Sequence, residues 1–95
     1  MVSFAWDSRK NATNTRKHGV SFVEAQTVFY DEYAIRYFDP DHSEDEDRFL
    51  MLEMSSRLRV LIVSHCYMEG DAVIRIISAR NAAKGEEETY WRERP

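Results

Sequence analysis

Cysteine is nearly absent from this 95-residue sequence, which also has no long apolar run and no excess of basic residues. The single cysteine, Cys66, can form no internal disulfide and cannot build a thiolate metal cluster, which is typical of a reducing compartment. No apolar run approaches the roughly 20 residues that span a bilayer. The N-terminus also lacks a basic segment followed by an apolar one. We therefore expect a cytoplasmic location and no membrane partner.

The net charge of −4 counts against a nucleic-acid partner only if the charge is evenly spread. Residues 31–53 contain nine of the 17 acidic residues and two of the 13 basic ones. The remainder of the chain has 11 basic and eight acidic residues, a local charge of +3. Because phosphate binding depends on the local field and not on the total, an RNA-binding surface outside the acidic segment is compatible with this composition.

The first third of the chain predicts one short strand and two helices. Residues 4–6 are an apolar strand candidate, and the polar segment 9–17 is predicted as a helix that Gly19 ends in the left-handed conformation. A serine-x-x-glutamate capping box opens the next helix, whose apolar face continues through residues 21–30.

From residue 34 the apolar period changes from that of a helix to that of a strand. Four strands are predicted, over residues 34–39, 48–54, 58–68 and 73–79. A polar helix over residues 82–94 closes the chain, and no repeat or long linker divides it. We therefore predict a single α+β domain over residues 1–95, with two N-terminal helices packed on one side of an antiparallel sheet of about four strands and a C-terminal helix.

The last two predicted strands are apolar on both faces, as central strands of a sheet are. Strict alternation places Arg75 and Arg80 on opposite faces of the last strand, while His65 interrupts the strand before it. Because these three side chains are polar, we expect them near strand ends or around a cleft.

Several motifs, taken together, resemble the BrnT toxin family over nearly the whole chain. They are Phe4-x-Trp6-Asp7, Arg16-Lys17-His18-Gly19-Val20-Ser21-Phe22, Asp39-Pro40-Asp41-His42-Ser43 and Arg75-Ile76-Ile77-Ser78-Ala79-Arg80, in the family's order and spacing. The resemblance implies a RelE-like fold and cleavage of RNA without a metal or cofactor. It also implies a ribbon–helix–helix antitoxin of the BrnA type, through whose complex alone the toxin reaches operator DNA and represses its operon.

Metal-free RNA cleavage needs a base for the ribose 2′-hydroxyl, a cation for the charge on phosphorus, and an acid for the leaving oxygen. The candidate catalytic residues are His65, Arg75, Arg80, His42 and Glu46. Structural roles are open for each: a backbone-bonded strand histidine at position 65, ion pairs of the arginines with the acidic segment or Glu86, loop hydrogen bonds at His42, and a solvated loop face at Glu46. We predict one cleft around His65, Arg75 and Arg80.

A second group of residues is predicted to bind RNA. Its members are Arg16, Lys17, His18, Arg48 and Tyr67. His18 has the alternative role of capping a helix C-terminus, and Arg48 that of an intramolecular ion pair. Cys66 is predicted to be a small buried residue without nucleophilic function. No metal site is predicted, because Asp39, Asp41 and His42 share only the spacing of a loop.

A non-catalytic interaction module is the alternative function. The C-terminal helix departs from the family, since Glu87 and Glu88 occupy a stretch that is frequently basic in its relatives. With the net acidity of the chain, this departure suggests a toxin fold that binds only its antitoxin.

Overall fold

The computed structural model describes residues 2–44 and 46–94, so Asp45 of the acidic segment lies outside the described residues. Five strands run in the order β1 Ser3–Ala5, β2 Ile35–Phe38, β3 Arg48–Met54, β4 Val60–Met68 and β5 Val73–Asn81. The helices are α1 Ser8–His18, α2 Phe22–Thr27 and α3 Lys84–Glu93, with short 3-10 turns at Val28–Tyr30 and Pro40–His42. Within these residues, no helix has the length and apolarity to cross a bilayer.

The strands form one sheet in the order β1-β5-β4-β3-β2. Its four longer strands pair antiparallel, whereas β1 pairs parallel with the start of β5. The expectation of a purely antiparallel sheet of about four strands is therefore wrong, because the sheet is mixed and has five. Three residues carry too little alternation to specify the partner or the direction of β1, so only tertiary packing determines both.

Helices cover both faces of the sheet, not one face as expected. On the face that we call the α1–α2 face, residues of α2 and its flanks pack on β4 and β5 in the core. On the opposite face, the α3 face, Tyr90 packs against Leu52, Val60 and Ile62. The central strands are apolar on both sides, so both faces need a cover.

The predicted helix boundaries are confirmed where a local capping group defines them. The Asp7 carboxylate accepts the N–H groups of Arg9 and Lys10 at 2.8 and 3.2 Å, and Gly19 ends α1 with a φ of +70°. The Ser21 hydroxyl likewise caps α2. The second helix ends earlier than predicted, and the chain continues to residue 30 as a 3-10 turn.

A β-bulge in β5 changes which side chains share a face. Ser64 pairs with Ser78 and His65 pairs with Ile76, which leaves Ile77 without a partner on β4. The extra residue shifts the alternation by one position. As a result Arg75 and Arg80 both lie on the α3 face, and not on opposite faces as strict alternation predicts.

Asn14 fastens α1 to the sheet through three buried hydrogen bonds. Its Nδ2 donates to the carbonyls of Val20 and Ala79 at 2.9 and 2.7 Å, and its Oδ1 accepts the N–H of Ala79 at 3.1 Å. Asn14→Ala leaves these backbone groups buried without partners. We expect it to lower the free energy of unfolding by about 3 kcal/mol in urea titrations.

The exposed neighbour Thr13 provides the control for this prediction. Thr13→Ala on the same helix is expected to change the free energy of unfolding by no more than about 0.5 kcal/mol. Equal losses in the two variants would show that the buried hydrogen bonds of Asn14 do not stabilise the fold.

Candidate active site

Three residues lie side by side at one end of the α3 face. Arg48 on β3 pairs with Cys66 on β4, which pairs with Arg75 on β5. Directly paired strand residues have Cβ atoms about 5 Å apart, so the two guanidinium groups flank Cys66. Tyr90 of α3 packs on the other end of this face. We call Arg48, Cys66 and Arg75, together with Glu46, the arginine row.

Glu46 lies between the two arginines, just before β3. Its carboxylate accepts a hydrogen bond from Nη2 of Arg75 and lies 3.9 Å from Nε of Arg48. All three side chains are 30–38% exposed. Ion pairs with this exposure add little to stability, so an incoming phosphate can compete with Glu46 for the guanidinium groups at small cost.

His42 lies beside Glu46 in a cleft of about 290 Å³, which Asp41, Glu44 and Arg48 also line. Its Nδ1 is 2.9 Å from a carboxylate oxygen of Asp39. Since a carboxylate only accepts, Nδ1 carries the hydrogen in this contact. The Ser43 hydroxyl accepts the N–H of Arg48 at 3.0 Å and thereby fastens this turn to β3.

Cys66 forms the floor between the arginines and is 1% exposed. Burial raises the pKa of its thiol. The prediction of a small buried residue is confirmed, and its lack of a nucleophilic function stays a prediction. Among the described parts of the chain, no group of three His, Cys, Asp or Glu side chains is placed to hold a metal ion.

Arg80 lies farther along the α3 face, toward α3. The β4 partners of Arg75 and Arg80 are four residues apart, which separates the two arginines by about 13 Å. Arg80 makes two hydrogen bonds to the carboxylate of Glu86, at 2.7 and 3.0 Å. These bonds hold the pKa of Glu86 below its usual range. The alternative prediction, an ion pair between Arg80 and Glu86, is thus confirmed by these distances.

His65 lies on the opposite, α1–α2 face and is fully buried. Its Nδ1–H donates to the Val63 carbonyl at 3.2 Å, and its Nε2 accepts from the Tyr67 hydroxyl at 3.3 Å. Burial lowers the pKa of His65 to about 4, so the imidazole is neutral at pH 7. The predicted common cleft of His65, Arg75 and Arg80 is wrong, because the sheet separates His65 from the two arginines. A catalytic role of His65 stays a prediction.

Tyr67 connects His65 to an arginine that the sequence analysis did not select. Nη1 of Arg36 donates to the Tyr67 hydroxyl at 3.2 Å, and its guanidinium lies 4.9 Å from the ring centre of Phe49. Arg36 lies in the acidic segment, so the local charge did not indicate a phosphate-binding role for it. Its place among Ile35, Tyr37 and Phe38 in an aromatic strand is the one sequence feature that could have identified it.

The remaining predicted RNA-binding residues lie on α1. Arg16 and Lys17 are exposed, and Lys17 and His18 line a groove of about 330 Å³ with further basic side chains of α1. This groove reaches Ser78, whose pairing with Ser64 places it on the α3 face. The structure therefore brings Glu46, His42, Arg48 and Arg75 together, and it leaves Arg80, Tyr67 and the basic residues of α1 at separate positions around them.

Comparison with known proteins identifies the family of this chain. The family model described as the ribonuclease toxin BrnT of type II toxin–antitoxin systems matches residues 6–86. The crystal structure of the Brucella abortus ribonuclease toxin BrnT superposes with a TM-score of 0.64 at 21% identity, covering 88% of this chain and 100% of that chain. A comparison with curated proteins gave no match. The chain shares the α+β fold of that structure and belongs to the BrnT family of ribonuclease toxins.

Proposed function

We propose that this toxin is a metal-independent endoribonuclease whose active centre is the arginine row. The observation that carries the proposal is the position of Glu46, a carboxylate held between the guanidinium groups of Arg75 and Arg48 on an accessible sheet face. A base beside two phosphate-binding cations is the minimal set for metal-free attack by the ribose 2′-hydroxyl.

In the proposed reaction, Glu46 accepts the proton of the 2′-hydroxyl as the 2′-oxygen forms a bond to phosphorus. Arg75 and Arg48 stabilise the negative charge on the phosphorane-like transition state. The bond from phosphorus to the 5′-oxygen then breaks, and Nε2–H of His42 protonates that oxygen while Asp39 stabilises the imidazolium. The products are a 2′,3′-cyclic phosphate and a 5′-hydroxyl. His65, neutral and buried, takes no proton in this scheme.

The proposed RNA path leaves the arginine row in two directions. Arg80 binds a second phosphate about 13 Å from Arg75 if the phosphate displaces Glu86. The basic groove of α1 supports the backbone beyond Ser78 through Lys17 and His18, with Arg16 at its exposed end.

Membership in a type II toxin family entails an antitoxin partner. We propose that this partner is a ribbon–helix–helix protein of the BrnA type, that it covers the arginine row in the cytoplasm, and that the complex represses its own operon. Freed toxin then cleaves RNA and stops translation and growth. The carboxylates that already pair with the arginines indicate how acidic side chains of an inhibitor would bind there.

The test is incubation of the purified protein with RNA in excess EDTA, followed by analysis of the new ends. We expect cleavage that EDTA does not inhibit and fragments that end in a 2′,3′-cyclic phosphate. Cleavage that stops with EDTA and returns with a divalent cation would overturn metal independence. Fragments with 5′-phosphate ends would overturn attack by the 2′-hydroxyl.

The second candidate function is a toxin fold that binds its antitoxin without cutting RNA. Ion pairing of both Arg75 and Arg80 with carboxylates, in a chain with a net charge of −4, favours this alternative. In the same assay, intact RNA together with stable antitoxin binding would select it.

A further inference from the structure

A second cavity lies at the same end of the sheet as the arginine row, on the opposite face. It encloses about 400 Å³ between Arg36, Asp47, Phe49, Tyr67 and Asp71, and we call it the aromatic pocket. Residues 46–49 alternate between the two sites, since Glu46 and Arg48 belong to the row whereas Asp47 and Phe49 line the pocket. A nucleic-acid strand bound at the row therefore needs only to cross the end of the sheet to reach the pocket.

The aromatic wall of this pocket is fixed in position. The Tyr67 hydroxyl donates to His65 and accepts from Arg36, so both of its hydrogen-bonding functions are used. The Phe49 ring packs edge-on against Tyr67 with ring centres 5.4 Å apart, and the Arg36 guanidinium lies over both rings. A flat, polarisable ligand finds here a rigid wall of aromatic edges beside a guanidinium group.

Two carboxylates complete the wall, and one of them is held in an unusual backbone conformation. Asp71 has a φ of +71° in the turn between β4 and β5, where Glu69 and Gly70 are also left-handed. Positive φ is usual in tight hairpin turns, where glycine and aspartate are favoured, so this turn defines the backbone position of Asp71. This turn places the Asp71 carboxylate at the pocket that Asp47 also lines.

We propose that the aromatic pocket binds a guanine base of the RNA substrate, an inference that rests on the proposed ribonuclease function. Guanine presents two adjacent donors, N1–H and N2–H, which match the two oxygens of one carboxylate. Its O6 accepts from the guanidinium of Arg36, and its ring packs against the ring edges of Phe49 and Tyr67. Adenine and cytosine each place one donor beside an acceptor, and uracil has one donor between two carbonyls, so a carboxylate repels part of each of these edges.

Binding of the four 2′-deoxynucleoside monophosphates to the isotope-labelled full-length chain tests this proposal by NMR titration. We expect the guanine nucleotide to bind about tenfold more tightly than the other three. The chemical-shift changes that it causes should be largest at Phe49 and Tyr67. Equal affinity for all four nucleotides would overturn the proposal.

Conservative amide variants identify the carboxylate that recognises the base. Asp47→Asn and Asp71→Asn are exposed changes, and asparagine tolerates the left-handed conformation at position 71. We expect one of the single variants, and also the double variant, to abolish the preference for guanine. Glu69→Gln in the same turn is the matched control and should retain it. A double variant that still prefers guanine would exclude this recognition mode.

The deoxynucleotide probes have no 2′-hydroxyl and cannot be cleaved by the proposed reaction. Guanine binding without any RNA cleavage would therefore retain the pocket and overturn the ribonuclease. Cleavage with no base preference would retain the ribonuclease and overturn the pocket.

Discussion

Replacing Glu46 with glutamine is expected to slow RNA cleavage by about 100- to 10,000-fold, the usual contribution of a general base. Glutamine has nearly the same shape but cannot accept the proton of the 2′-hydroxyl. It also releases Arg75 from its ion pair. RNA binding should then stay equal or become tighter while the chemical step slows. Single-turnover rates in EDTA, with RNA affinity measured separately, distinguish these two effects.

A loss of binding and rate together would instead assign Glu46 a structural role. Glu87→Gln provides the control, because it removes one exposed carboxylate from the first turn of α3, away from the arginine row. Its cleavage rate should lie within a few-fold of wild type. A Glu46→Gln protein that cuts RNA at the wild-type rate would show that another group accepts the proton.

Local signals in the sequence predicted most of the fold. The capping residues Asp7, Gly19 and Ser21 act on backbone groups only two to four residues away. The predicted helix end at Gly19 and the predicted serine cap of the next helix are confirmed, and Asp7 caps the start of α1. The third strand has the predicted bounds, residues 48–54, because an acidic turn and an apolar run delimit it. Such contacts join residues that are close together in the sequence, so a single sequence is enough to predict them.

Contacts between distant segments could not be read in the same way. A single unpaired residue, Ile77, decides that Arg75 and Arg80 share a face, and no residue type marks this bulge. The contact of Glu46 with Arg75 joins positions 29 residues apart. In the sequence, Glu46 is one acid among many. The candidate residues thus included Glu46, Arg48 and Arg75, whereas the separation of His65 from them by the sheet required the structure.

The free energy of unfolding is expected to fall as pH rises above about 6.5, because the carboxyl group of Glu53 is buried. This side chain is 0% exposed, and neither carboxyl oxygen has a hydrogen-bond partner within residues 2–44 and 46–94. Burial, and secondarily the charge of Asp31, raises its pKa to about 10, against 4.5 without these effects. The folded state therefore retains a proton that the unfolded state loses above pH 4.5, and stability decreases by up to about 1.4 kcal/mol per pH unit.

His65 has the opposite effect at lower pH. Its pKa falls from 6.5 to about 4 on folding, so below pH 6.5 the unfolded state binds a proton that the folded state does not. Stability from this residue is present above pH 6.5 and is lost as pH falls toward 4. Between pH 4.5 and 6.5 the slopes of Glu53 and His65 oppose each other, and a plateau is expected. Above pH 6.5 His65 no longer contributes to the slope, and the fall in the free energy of unfolding with pH reflects Glu53.

Glu53→Met isolates this slope, since methionine fills a similar volume and has no proton to lose. At pH 8 we expect the variant to be more stable than wild type by about 5 kcal/mol in urea titrations, and its stability above pH 6.5 should change little. Glu88→Gln, a change at an exposed position, should keep the wild-type slope.

A wild-type profile that is flat from pH 6.5 to 8 would mean that Glu53 reaches water or a partner. An unchanged slope in Glu53→Met would assign the titration to another group. With the predicted outcome, the buried carboxyl destabilises the fold at neutral pH, and the neutral imidazole of His65 limits the pH range of maximal stability on the acid side.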